Sequence, residues 1–131
     1  MTSTSDYDHL AKREFIENIL KSDYTICMRG VGNYSYRFYE TLALGRVPIF
    51  INTDCQLPWD EMIQYKGQFP WIDQREIAYA VEKVLDFHHR ICPEEFVGLQ
   101  AKCRELWMRH FTYERFYGDW VNYFEHGRIL Q

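Results

Sequence analysis

The chain has 131 residues, a length that fits one domain but not two full α/β lobes, so we predict a single domain over residues 1–131. Its formal net charge of −4 provides no overall field to attract nucleic acid or an anionic membrane. No apolar run approaches the length of a membrane span, and the polar N-terminus lacks a signal-peptide core, so we expect no membrane span and a cytoplasmic location.

The first half of the chain alternates between helix and strand patterns. Apolar residues recur on one helix face in the first segment, and continuous apolar runs bounded by turn residues follow. Ser35 can cap a helix that Gly45 can end. We therefore predict a helix over 8–21 with Leu10, Phe15, Ile19 and Leu20 on one face, a buried strand over 24–28, a helix over 36–44 and a strand over 47–52.

The second half is mostly helical in pattern. We predict a helical turn within 57–62 and a strand over 69–73. An Asp73–Glu76 capping box then starts a helix that carries Ile77, Val81, Val84 and His88 on one face. A further helix begins at Pro93, and Thr112 caps the last helix. Apolar strands that alternate with helices indicate a short parallel sheet covered by helices on both faces. The predicted fold is the Rossmann-like half of a doubly wound α/β protein.

The cysteines, histidines and tryptophans do not form a recognisable site pattern. No CxxC pair occurs and no histidine stands at metal-ligand spacing, so neither zinc nor a redox motif is indicated. We expect free, buried thiols at Cys27, Cys55, Cys92 and Cys103. Stacking on a sugar or base is open to each tryptophan, but core packing or an interdomain contact is favoured for Trp59, Trp71, Trp107 and Trp120.

The segment 29–54 carries the chemistry, because a strand there runs into a glycine-bearing turn and then a helix. Such a turn directs backbone N–H groups and the positive end of the helix dipole at one point, which suits a phosphate or diphosphate. Gly30 and Gly32 would let the backbone approach a ligand closely, although both are also ordinary turn residues. Arg29 adds a fixed positive charge, unless it is a solvated surface arginine.

Arg37 and Glu40 lie three residues apart and share a helix face. They can simply pair with each other, a contribution of only about 0.2–0.5 kcal/mol in isolated helices. Alternatively, the two carboxylate oxygens of Glu40 can accept hydrogen bonds from adjacent ribose hydroxyls. The spacing leaves both interpretations open.

The residues from Ser22 to Glu61 resemble the donor-binding region of the exostosin family of glycosyltransferases. That region has a strand followed by an RG turn, S-x-R-x-x-E on a helix, G-x-x-P before the next strand, and an acidic residue ahead of LP. The corresponding residues occur here in the same order: Arg29-Gly30, Ser35, Arg37, Glu40, Gly45, Pro48, Asp54 and Leu57-Pro58.

The resemblance implies a GT-B architecture in which this chain is the donor-binding lobe for a nucleotide sugar, such as a uridine diphosphate (UDP) sugar. Arg29 and Arg37 would contact the diphosphate with help from Ser35, and Glu40 would bind the ribose. No metal or other cofactor is expected, because fixed positive groups would stabilise the departing diphosphate. Transfer to an acceptor hydroxyl would invert the sugar configuration. The predicted donor-binding residues are Arg29, Gly30, Gly32, Asn33, Ser35, Arg37, Glu40 and Asp54.

The resemblance does not include an acceptor lobe, which in the family would supply the general base. Two functions other than sugar transfer therefore remain open for this chain. One is a non-catalytic lobe that binds a nucleotide sugar or a partner, and the aromatic share of 18% favours contact with such a lobe or self-association. The other is a nicotinamide-dinucleotide domain, because GVGNYS is close to G-x-G-x-x-G and Asp54 follows about twenty residues on, although Ser35 replaces the third glycine.

Overall fold

A short sheet of three parallel strands organises the computed structural model, which describes residues 4–129. The elements in chain order are α1 (Thr4–Leu20), β1 (Tyr24–Cys27), α2 (Tyr36–Ala43), β2 (Val47–Asn52), β3 (Trp71–Asp73), a 3₁₀ helix (Gln74–Tyr79), α3 (Ala80–His89), α4 (Pro93–His110) and α5 (Tyr113–His126). The strand order is β1–β2–β3, with β2 in the middle. Helices flank this sheet, so the prediction of an α/β, Rossmann-like half domain is confirmed.

The main core lies between α2 and the sheet. Phe38 and Leu42, one helical turn apart on α2, are both 0% exposed. The Phe38 ring centroid lies 5.1 Å from that of Phe50 on β2 and 5.7 Å from that of Phe69, in edge-to-face arrangements. Such aromatic pairs add about 0.5–1.5 kcal/mol beyond the area that they bury. This packing fixes the N-terminus of α2, and therefore the turn that precedes it.

β1 is not the fully buried strand that its apolar sequence predicts. Thr25 and Cys27 are buried, but Ile26 between them is 62% exposed. β1 pairs with β2 on one side and forms an edge of the sheet. The prediction of a sheet covered on both faces is therefore wrong at this edge, because Ile26 stays largely uncovered within the part of the chain that the structure describes.

α1 begins four residues earlier than predicted and buries little of its apolar face. Ile19 is 1% exposed, whereas Leu10 is 54% and Leu20 41% exposed. The C-terminal end of the helix is held by Arg46, whose guanidinium donates from Nε and Nη2 to the Leu20 carbonyl oxygen at 3.2 and 3.1 Å. α1 is thus attached mainly through its last turns.

The predicted capping box at Asp73 and Glu76 is wrong. The Asp73 carboxylate accepts a hydrogen bond from Asn52 Nδ2 at 2.7 Å, and Glu76 instead pairs with Lys83 at 2.5 Å. A 3₁₀ helix therefore precedes α3, and α3 itself contains no buried residue. The face predicted to be apolar is open to solvent at Ile77, Val81 and His88 and half-buried at Val84.

The two C-terminal helices begin as predicted. Pro93 is the first residue of α4, and the Glu95 carboxylate accepts a hydrogen bond from the Cys92 backbone N–H at 2.8 Å. Thr112 Oγ1 accepts from the Arg115 N–H at 3.3 Å and caps α5. None of the helices within residues 4–129 is long and apolar enough to cross a bilayer.

A buried polar pair ties α4 to α5. His110 Nδ1 lies 2.8 Å from Asp119 Oδ2, and the two residues are 6% and 0% exposed. Burial of such a group is tolerated only when a partner satisfies it, and breaking a buried pair costs about 3–5 kcal/mol. The pair therefore fixes how the two helices pack.

Candidate functional site

The turn between β1 and α2 is closed by its own backbone and tied to the segment after β2. The Gly30 N–H donates to the Tyr34 carbonyl oxygen at 3.1 Å. Asn33 Nδ2 donates to the carbonyl oxygens of Thr53 and Asp54 at 3.2 and 3.3 Å, and Asn33 Oδ1 accepts from Thr53 Oγ1 at 2.6 Å. The turn is therefore held at the carboxyl ends of β1 and β2, where open α/β sheets bind their ligands.

The two glycines of the turn have different surroundings. A Cβ on Gly32 would lie 2.3 Å from Tyr34 Cε1, so the missing side chain makes room for that ring. A Cβ on Gly30 would meet nothing within 4 Å. The Tyr34 ring also contacts that of Tyr36 edge-to-face at 5.1 Å. Gly32 thus accommodates an aromatic pair, while Gly30 leaves the backbone open to solvent.

Ser35 stands at the N-cap of α2 but does not cap it through its side chain. Its backbone is extended, with φ −127° and ψ 112°, and its hydroxyl makes no capping hydrogen bond. The residue is 9% exposed. Helix N-terminal N–H groups need an acceptor from outside the helix, and none comes from Ser35. The first turn of α2 therefore presents donors and the positive end of a helix dipole to an anion.

Arg29 lies at the entrance of the same turn and is exposed. It shares the lining of a small cavity with Asn33 and Ser35, but the cavity measures only about 10 Å³. That volume is too small for any ligand larger than a water molecule. An anion recognised by Arg29 and α2 must therefore rest on the surface of the turn.

Arg37 and Glu40 project from α2 toward α1. The Arg37 guanidinium carbon lies 4.8 Å above the Phe15 ring centroid, a cation–π contact. No ion pair joins Arg37 to Glu40 in the described chain. Glu40 instead borders an apolar groove of about 560 Å³ between α1 and α2, whose other lining residues are Ala11, Lys12, Phe15, Ile16, Ala43 and Leu44.

Asp54 lies behind the turn. Its backbone has φ 54°, an uncommon conformation that Asp adopts more readily than most residues. Its carboxylate accepts a hydrogen bond from Gln74 Nε2 at 3.3 Å and borders a cavity of about 440 Å³ that Lys66 and Trp71 also line. Asp54 therefore meets the turn through its backbone only, and its side chain faces a different cavity from Arg29.

The structure thus divides the predicted site residues into three groups. Arg29, Gly30, Gly32, Asn33 and Ser35 form the turn, Arg37 and Glu40 face α1, and Asp54 supports the turn from behind. Sequence reasoning did not find Thr53, which binds Asn33, nor Phe15, which lies under Arg37. Thr53 could have been predicted, because it is a polar residue at the end of a strand that is parallel and adjacent to the strand before Asn33.

The four cysteines are free, and two of them are buried as expected, Cys27 and Cys103. Burial raises the pKa of each of these thiols to about 12, so both stay protonated near neutral pH. Cys55 is half-buried and Cys92 is exposed, so the prediction of burial is wrong for Cys92. Within residues 4–129, no group of three His, Cys, Asp or Glu side chains could hold a metal ion.

Comparison with known proteins gives distant relatives of one kind. The chain is 27% identical over 106 residues to exostosin-1 of Drosophila melanogaster, across 81% of this chain and 13% of that protein. It is 25% and 24% identical over 108 residues to exostosin-1b and exostosin-1a of Danio rerio, each across 82% of this chain and 14% of the relative. No family model and no solved structure matches the chain.

These matches support an exostosin-like relationship. They do not assign the chain to a particular lobe of its relatives. The chain spans about one-seventh of the length of the relatives that it matches.

Proposed function

We propose that this chain is the donor-binding lobe of an exostosin-like glycosyltransferase of GT-B architecture and that it binds a UDP-sugar. The observation that carries the proposal is the uncapped N-terminus of α2, with Arg29 beside it and Gly30 open to solvent. Backbone N–H groups, a helix dipole and a fixed guanidinium together favour a diphosphate. The distant relationship to exostosin-1 proteins supports the same interpretation.

In this proposal the diphosphate rests on the turn and leaves with negative charge when the sugar is transferred. Arg29 and the α2 amides stabilise that charge without a metal, because the helix fixes the direction of the amides and the guanidinium is always charged. In the free chain the Arg37 guanidinium lies on the Phe15 ring, and a move from there to the diphosphate would give up a contact worth about 0.5–1 kcal/mol at exposed sites. We therefore assign the diphosphate contact first to Arg29.

The nucleoside would occupy the groove between α1 and α2. The groove volume of about 560 Å³ lies within the range of about 300–1,000 Å³ that is usual for small-molecule sites. Its apolar walls suit a base, and Glu40 at its border can accept hydrogen bonds from ribose hydroxyls.

A thermal-shift titration with UDP-glucose, UDP and NAD tests this function. A ligand that binds only the folded chain at about one hundred times its Kd adds roughly 2.7 kcal/mol of stability. We expect the uridine ligands to raise Tm, and Arg29→Ala or Glu40→Ala to abolish the increase. Arg75→Ala and Glu82→Ala, at exposed positions away from the turn, are the matched controls.

The outcomes separate the candidate functions. Stabilisation by NAD but not by UDP would favour the dinucleotide domain, and no stabilisation by any nucleotide would reject donor binding. Binding without transfer, even after addition of an acceptor-lobe protein, would favour the non-catalytic lobe.

A further inference from the structure

A cleft of about 390 Å³ is lined by the loop 56–62 and by α5. Three aromatic rings line it, with the Trp59 centroid 5.9 Å from Phe116 and 5.5 Å from Tyr123. The carboxylates of Asp60 and Glu61, both exposed, stand at the same cleft. We call this the Trp59 cleft, and its remaining lining residues are Gln56, Leu57, Pro58 and Met62.

Trp59 holds an uncommon conformation in this loop. Its φ of 59° lies in the left-handed region, which costs a bulky residue about 1–3 kcal/mol unless the surroundings impose it. The Trp59 carbonyl oxygen accepts from the N–H groups of Met62 and Ile63 at 2.8 and 2.7 Å. These bonds close a turn over 59–63, whereas no helix forms in the segment 57–62 where a helical turn is predicted. Tyr65 Oη donates to the Pro58 carbonyl oxygen at 2.6 Å. The strained loop is therefore fixed in place.

The Trp59 indole N–H is buried and has no hydrogen-bond partner in the described structure. Native proteins satisfy nearly all buried donors, so such a group calls for an explanation. Strained, well-supported residues also cluster at ligand sites. Both observations fall on the same residue, in the wall of the same cleft. The buried N–H has almost no accessible surface, so the ring of Trp59, and not its N–H, is what the cleft presents to a ligand.

The chemistry of the lining identifies the class of ligand. Aromatic faces contact the C–H faces of a sugar ring, and carboxylate and amide groups bind its hydroxyls. None of the nine lining residues carries a positive charge, whereas Asp60 and Glu61 carry negative charges. We propose that the Trp59 cleft binds a neutral pyranose and disfavours an anionic one.

The Trp59 cleft is close to the proposed donor turn. Gln56 and Leu57 line the Trp59 cleft and also the small cavity that Arg29 and Ser35 border. A sugar in the cleft would therefore stand next to the donor, in the place of the acceptor. That role rests on the proposed function, whereas binding of the pyranose does not.

The test is a titration of the nucleotide-free chain with the neutral disaccharide cellobiose, followed by ¹H–¹⁵N spectra of the four tryptophan indoles. Trp59→Phe assigns the Trp59 signal. We expect cellobiose to shift this signal but not that of Trp120, and cellobiouronic acid to bind more weakly. Glu61→Ala, at an exposed position, should weaken cellobiose binding about tenfold, while Glu82→Ala on α3 should not change it.

Three results would overturn the inference: no shift of the Trp59 indole, equal affinity for the neutral and the acidic disaccharide, or unchanged binding by Glu61→Ala. The cleft and the donor site are tested independently, because no nucleotide is present in this titration. Cellobiose binding together with failure of all nucleotides to bind would support the sugar site and overturn its role as an acceptor site.

Discussion

Asn33 joins the glycine turn to the segment after β2 through three hydrogen bonds from one side chain. Each such bond contributes about 0.5–1.5 kcal/mol net. We therefore expect Asn33→Ala to lower the free energy of unfolding by at least about 1.5 kcal/mol and to weaken UDP binding as well. Urea denaturation with and without UDP measures both effects.

Asn18, exposed on α1, provides the matched control for Asn33. Asn18→Ala should not lower the urea midpoint, since alanine favours the helix more than asparagine does, and should leave the binding of UDP unchanged. A stability loss for Asn33→Ala no larger than that for Asn18→Ala would show that the turn does not depend on this side chain.

Asp73 contributes stability that depends on pH. The hydrogen bond from Asn52 lowers the pKa of Asp73 below its ordinary value, and the charges of Lys66 and Lys83 act in the same direction. Because the folded-state pKa is the lower one, this stabilisation is complete above the unfolded pKa of about 4 and is lost as pH falls through the folded pKa.

Asn52→Ala should therefore destabilise the chain more at pH 7 than at pH 3. The measurement is urea unfolding of the wild type and the variant across this range. A difference between the two proteins that stays constant with pH would contradict the assigned cause.

Ser35 and Thr112 occupy the N-cap positions of α2 and α5, and only Thr112 caps its helix through its side chain in the described structure. Thr112 Oγ1 accepts from the Arg115 N–H, whereas Ser35 makes no capping bond. We expect Thr112→Ala to cost about 1 kcal/mol, as is typical of N-caps, and Ser35→Ala to cost much less. Chemical denaturation compares the two variants directly, and equal losses would mean that Ser35 caps α2 in solution.

The sequence predicts most elements because their local signals agree with the fold. β2 matches 47–52 and the α2 helix begins after Ser35, since an apolar run and a turn leave little choice of boundary. The capping box at Asp73 fails because Asn52, distant in sequence, competes successfully for the carboxylate. The prediction that Ile26 is buried fails because the sequence pattern shows which residues are apolar but not whether another element covers them.

The sequence predicts which site residues lie together only where those residues are neighbours in the chain. The turn residues from Arg29 to Ser35 lie together because they are consecutive. The groove that Glu40 borders depends on how α1 packs against α2. The Trp59 cleft depends on α5 meeting a loop more than fifty residues earlier, a contact that spacing cannot reveal.

At the scale of the whole molecule, α5 carries an aromatic stripe on its outer face. Its members follow one another at helical spacing and are exposed: Tyr113 78%, Tyr117 49%, Trp120 49% and Phe124 70%. Exposed apolar stripes of this kind mark contact surfaces. We expect the chain to self-associate through α5 at high concentration, as its aromatic composition suggests.

Sedimentation velocity over a concentration series tests this contact. Phe124→Glu should shift the equilibrium toward the monomer by at least about tenfold in Kd, since a charge would be buried in an apolar contact. Val97→Glu on α4, also exposed at 64%, should have no effect. A monomer at all concentrations would exclude the contact.

The position of β1 has a consequence for how this protein behaves at high concentration. One side of β1 pairs with β2, so its other side offers backbone donors and acceptors to any extended peptide. Ile26 and Met28, at 62% and 56% exposure, add apolar side chains beside that edge. The strand is only four residues long, which limits the bonds that an intruding chain can make. The short length of β1 protects the protein from aggregation through this edge, and a substitution that lengthened β1 would remove that protection.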